Sequence, residues 1–176
     1  MSTWAALENA LRAWVVSSTG LGASSVIWAE QTGARPTATA FATLRLGGLQ
    51  QVGSVDTVEH NYSAARTAGS EVELEVQSLR ECAVSVQFFS SSTTGNSSAR
   101  ALAQLAQSSL YLPSVRAALG LVGLSVFDPG QVQNVSTLLD ARFENRAVFE
   151  VRCYVMLTAS EFTTWIEHCT PTGMYS

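Results

Sequence analysis

From residue 142 to residue 157 the chain reads RFENRAVFEVRCYVML, with apolar side chains at every second position. Phe143, Ala147, Phe149, Val151, Cys153, Val155 and Leu157 share one side, where Asn145 alone is polar. The opposite side begins Glu144, Arg146, Val148, Glu150, Arg152, acid and base by turns. A period of two held this long predicts a strand with one buried face and one charged face. Residues 71–90 repeat the signal. Val72, Leu74, Val76, Cys82, Val84, Val86 and Phe88 alternate with a side that starts Glu71, Glu73, Glu75, Gln77. The polar break at residues 78–80 predicts a kink, a bulge or the turn of a tight strand pair.

Shorter runs fill in the rest. Ala40, Ala42, Leu44 and Leu46 form one face of a strand over residues 40–46, and residues 26–30 form a brief strand before it. Pro36 pushes its neighbour into an extended conformation, so residues 31–39 read as a loop. Residues 49–58 continue the meander, and the small, polar stretch 60–70 reads as a long loop. Val122, Leu124 and Val126 mark a further strand closed by Asp128-Pro129-Gly130, with residues 131–137 as an edge strand behind it.

Helical spacing shows in three places before the chain end. Trp4, Leu7, Leu11, Trp14 and Val15 line one side of residues 3–18, with Thr3 as N-cap and Gly20 and Gly22 as the stop. Leu102, Leu105, Ala106 and Leu110 do the same for residues 99–110, capped by the last serines of the connector 90–98. Pro113 opens a short helix that Gly120 ends. Near the C-terminus Thr158 and Glu161 have capping-box spacing, and Phe162, Trp165, Ile166 and Cys169 recur at i, i+3, i+4 and i+7. That predicts an amphipathic helix, covering its own sheet or docking on a neighbouring subunit. The expected whole is α+β: residues 1–157 as one domain with a mostly antiparallel or mixed sheet and helices packed on one side, and residues 158–176 as a C-terminal helix or arm.

Composition removes several classes of function. All ten basic residues are arginine, and the formal net charge is −4. Such a surface has no dense cationic stripe for gripping phosphates. No run of eighteen apolar residues predicts a membrane span. The three cysteines form no CxxC pair, and Cys82 and Cys153 fall on apolar strand faces, where a thiol acts as a small hydrophobe.

Catalytic chemistry is poorly supplied. A nucleophilic triad needs a base, and only His60 and His168 are available. His168 and Cys169 are adjacent but lack further ligands at metal spacing. Gly20-Leu21-Gly22-Ala23-Ser24 follows a helix instead of a strand and has no lysine to reach a phosphate. An enzyme is disfavoured, with no catalytic, cofactor or metal residues expected.

Several of these segments, in order, resemble a family of bacteriophage neck proteins, the tail-terminator-like proteins of long-tailed, chiefly contractile-tailed, phages. They are Trp28, Gln31, Arg35 and Pro36 entering a strand; Val84-Ser85-Val86-Gln87-Phe88-Phe89 leading to an alanine-rich helix from Ala99 to Ala106; and Val132-Gln133-Asn134-Val135-Ser136 before Phe143-Glu144-Asn145-Arg146-Ala147. The serine-rich connector and the C-terminal helix depart from that pattern. The resemblance implies a ring, typically of six copies, at the head-proximal end of the tail. Such a ring caps the tail tube, stops its elongation and offers a docking surface to the head connector. The implied partners are further copies of the chain, the tail tube protein, a head-completion or connector protein and the tail sheath. DNA passes through without tight binding, no membrane is involved, and no cofactor is needed.

Within that picture Arg142, Glu144, Arg146, Glu150 and Arg152 are candidates for a subunit interface, or an ordinary solvent face with cross-strand ion pairs. Glu71, Glu73 and Glu75 are candidates for lining the channel, or for protecting a strand edge from uncontrolled pairing. Phe162, Trp165 and Ile166 are the candidate docking helix. Another neck component (a stopper or adaptor), a small enzyme using Glu59 and His60, and a non-viral oligomeric binding module stay open as alternatives.

Overall fold

The computed structural model describes residues 4–30, 36–53, 56–63, 72–92, 94–139 and 142–163, with backbone alone for residues 137–139 and 142–144. Its backbone is two very long strands with everything else arranged on them. These are β5 (Val72–Ser90) and β9 (Arg142–Thr163), paired antiparallel from Val72↔Thr163 to Ser90↔Asn145 without a register shift. The expected kink at residues 78–80 is therefore absent from this pairing. What changes there is the partner on β5's other side: β4 (Thr57–Tyr62) ends opposite Gln77, and β3 (Gln50–Gln51) takes over opposite Arg80 and Glu81. β4 also occupies the first part of the stretch expected to be a loop.

The main sheet runs β1 (Val26–Trp28), β2 (Ala40–Leu46), β5, β9, β6 (Leu124–Asp128), with β1–β2 parallel and the other pairs antiparallel. The short β7 (Gln133–Asn134) and β8 (Thr137–Leu139) pair with β9 beyond β6. The helices α1 (Trp4–Thr19), α2 (Ala99–Ser109) and α3 (Pro113–Gly120) close one face. The chain is α+β with a mixed sheet, as its periodicities imply.

Register explains the core. Ala42, Phe88 and Ala147 lie in one cross-strand row, Leu44, Val86 and Phe149 in the next, and Cys82 with Cys153 two rows on. All are buried, together with Leu7, Leu11, Trp14 and Val15 of α1 and Leu102, Ala103 and Ala106 of α2. Trp14 ties the layers. Its ring meets Phe149 edge-on at 6.4 Å, and its indole N–H donates to Ser109 Oγ of α2 at 2.9 Å. The Cys82 and Cys153 sulfurs sit 3.1 Å apart in this core. Their hydrogen bond and then burial push the Cys153 thiol up, so it packs as a neutral group.

Helix ends follow local chemistry. Ser98 caps α2 by accepting from the Ala101 N–H, and Gly20 (φ 71°) stops α1 with its N–H on the Val16 carbonyl. The expected cap Thr3 lies outside the described residues.

A further expectation is overturned. Thr158 does not begin a helix, because β9 continues as strand through Thr163. Residues 158–163 lie opposite Gln77 to Val72 of β5, whose free backbone groups on that side would otherwise lose their partners. A local spacing of Thr and Glu cannot outweigh a ready ladder. Phe162, a candidate for the docking helix, is thus a strand residue opposite Glu73. Trp165 and Ile166 lie outside the described residues.

Candidate assembly surfaces

Two surfaces stand out, and they belong to different parts of the same strand pair. The first is the sheet face opposite the helices. Side chains alternate across a strand, so the face that buries Phe149 and Val151 leaves Arg146, Val148, Glu150 and Arg152 on the other side. Arg146 is committed within the fold. Its guanidinium lies 5.2 Å from the centroid of the Phe89 ring and donates to Gln87 Oε1. Phe89 in turn stacks on Phe41 at 4.6 Å, which leaves Phe41 only 5% exposed although it faces away from the helices.

Glu150 and Arg152 are more open. Their groups are 3.9 Å apart and each side chain is 56% exposed, so the pair adds at most about 1 kcal/mol. Both line a polar hollow of about 510 Å³, bounded also by Asp128, Gly130 and Gln133. Arg142 and Glu144 are in β9 opposite Leu139 and Thr137, and their side chains are not among those described. Of the five interface candidates, two therefore share an open hollow and one is tied into the fold.

The second surface is an arm. Beyond the row of Ser78 and Leu157, the last to pack against the core, β4, the outer end of β5 and the last part of β9 continue as a three-stranded ribbon. One side of it carries Glu59, Glu73 and Glu75. Glu59 lies directly opposite Glu75, and Glu73 opposite Asn61. Like charges facing each other across strands cost stability, and the Gln77 side-chain amide donates to Glu75 Oε1 at 3.1 Å in this row. Glu71, the third channel candidate, lies outside the described residues. His60 neighbours Glu59 in sequence, but successive residues of a strand face opposite ways. The two cannot act together on one substrate. Among the described residues no group of three His, Cys, Asp or Glu side chains is placed to hold a metal ion, and no helix is long and apolar enough to cross a membrane.

The sequence matches the family described as phage neck terminator protein over residues 5–173, nearly the full length. The chain belongs to that family. Membership gives it a structural role in the neck of a phage particle, among tail and head proteins. No curated protein matches it.

Sequence reasoning missed the clamp at the base of the neck protein's arm. Arg80 Nη1 and Nη2 donate to the two Asp56 carboxylate oxygens at 2.9 and 3.0 Å, a bidentate pair that holds the β3–β4 connection against β5. Residues 78–80 read only as a polar break, and nothing local links Arg80 to a residue 24 positions earlier. The hydrogen bonds from Arg80, followed by one from Ser78, hold the Asp56 carboxyl below the usual carboxylate range. A depressed folded-state pKa gives stability that is present above the unfolded value, about 3.9, and lost as pH falls through the lower folded value. Arg80→Gln should therefore flatten the acid limb of the stability profile below about pH 4. Urea midpoints measured across that range check it, and parallel curves for the two proteins would exclude the clamp.

Proposed function

We propose that this chain is the tail terminator itself: copies of it form a ring, six in number, on the head-proximal end of the tail tube. The ring ends tube elongation and presents its other side to the head-completion or connector protein, with the tail sheath meeting its rim. The observation that carries this reading is the family match over residues 5–173. The surfaces are compatible with it. A closed ring needs two different complementary patches on each subunit, and the open hollow with Glu150 and Arg152 supplies charged groups that can set register between proteins.

The acidic side of the arm, with Glu73 and Glu75, faces the channel in this proposal. A conduit should not hold what passes through it, and carboxylates repel the DNA backbone where arginines or lysines would bind it.

Electron microscopy of intact particles tests the assignment. The expected density is a six-fold collar of this chain directly on the last tube ring. Density between collar and portal, out of contact with the tube, would make it a stopper or adaptor instead.

A further inference from the structure

Two buried thiols face each other across the long strand pair, and nothing in the neck role described above uses them. Cys82 of β5 lies directly opposite Cys153 of β9. They are 2% and 0% exposed, neither is in a disulfide, and their sulfurs are 3.1 Å apart. The backbone fixes the kind of pair they form. Leu79 and Ala83 turn their carbonyls away from β9, accepting from Val52 and Gly47, so by alternation Cys82 turns its own N–H and carbonyl toward β9. Met156 likewise donates away from β5, to Gly123, so Cys153 faces β5. Opposed residues that exchange both backbone bonds hold their α-carbons about 5.5 Å apart. A disulfide spans about 4.4–6.8 Å between α-carbons. The two sulfurs have only about 1 Å left to close before they reach bonding distance.

The pair is asymmetric. With the Cys153 S–H as donor, their hydrogen bond holds the Cys82 thiol below its ordinary value and the Cys153 thiol above it. Cys82 is therefore the nucleophile. Its thiolate attacks one oxygen of hydrogen peroxide, the O–O bond breaks, and Cys82 becomes a sulfenic acid as hydroxide leaves. The Cys153 sulfur then attacks Cys82, the S–O bond breaks, and the departing oxygen leaves as water. Two thiols and one peroxide give one disulfide and two waters. The resolving thiol is already in contact, so only the small oxidant has to enter. Burial slows that entry and keeps larger thiol reagents out.

We propose that Cys82 and Cys153 are an oxidation site, kept as thiols while the particle is built inside the cell and joined by a disulfide through peroxide after release. The bridge ties together the two strands on which the sheet is built. It links positions 71 apart in the chain, which restricts the unfolded state. The proposal needs the chain's place in a phage particle and stands with or without a ring.

The test weighs the chain before and after release, in a Cys169→Ser background that leaves these two as its only cysteines. Infected cells are quenched in acid, released particles are held in micromolar hydrogen peroxide, and both are unfolded in iodoacetamide for intact mass. The chain from cells should carry two labels. The chain from particles should carry none, weigh about 2 Da less than its reduced form and take two labels after dithiothreitol. Bridged chain should also melt several degrees above reduced chain. With purified chain, peroxide and dimedone should close the pair without an adduct, whereas Cys153→Ala should leave Cys82 as the trapped sulfenic acid. Should that variant fail to fold, the mass of the particle chain decides alone. Two labels on the chain from particles, a bridge between separate chains, or a dimedone adduct on the intact pair would each overturn the proposal. An unlabelled chain from cells would overturn it too, by placing the bridge before release.

Discussion

Phe149→Ala will be among the most damaging single changes in this protein, lowering the unfolding free energy by about 3–5 kcal/mol. The side chain is 2% exposed at the middle of β9. It lies opposite Val86, stacks near-parallel with Phe88 at 6.4 Å and takes the edge of Trp14. Its loss leaves a void between the sheet and α1 that neither neighbour can fill. The Trp14 N–H is fixed on Ser109, and Phe88 is held in the ladder by Ala42 and Ala147. For a domain of this size that corresponds to a fall of roughly 6–20 °C in Tm. Val148→Ala, one residue away on the opposite face, is the control and should cost well under half as much. Equal losses in thermal melts would mean that the two faces have been assigned wrongly.

Gly130→Ala should be nearly as harmful, although it adds only a methyl group. Gly130 has φ of 60°, where a left-handed backbone costs an alanine about 1–2 kcal/mol. The new Cβ would also collide with the Glu150 carbonyl oxygen, a backbone atom of β9 that cannot turn aside. The turn is held on both flanks: the Gly130 N–H donates to Asp128 Oδ1, and its carbonyl accepts from Gln107 of α2. A loss above about 2 kcal/mol is expected in chemical denaturation, with the collision added to the cost of the backbone angle. Gly120→Ala at the end of α3 meets nothing within 4 Å. It should be neutral or stabilise by up to about 1 kcal/mol. If both variants behave alike, Gly130 is not a constrained position.

The two long strands were legible because burial imposes a period, and Phe149, Val151, Cys153 and Val155 keep it without a fault. Ser98, Pro113 and Gly20 marked helix ends through groups that act within a turn of their own position. The arm's two flanking strands were not legible. The six residues of β4 are all exposed, so no buried side forces an alternation on them. Thr158 and Glu161 carry a true helix signal, and the partner that overrides it is more than eighty residues away in sequence. The charged candidates fared unevenly for a related reason. Arg146 and Arg152 look equivalent in the chain, yet only the register of β5 places Phe89 and Gln87 where Arg146 can reach them.

The unbroken Val72–Ser90 pairing makes the arm a ruler. Its outer six residues, Val72 to Gln77, extend about 20 Å beyond the last row that packs on the core at strand rise. Lengthening that reach takes two residues on each strand, about 7 Å per step. A single residue inserted in β5 would move Glu73 and Glu75 to the face that now carries Leu74 and Val76, and those two to the other. Arms built on this plan can therefore change reach only in coarse, matched increments, and relatives with longer or shorter arms should differ by even numbers of residues on each strand.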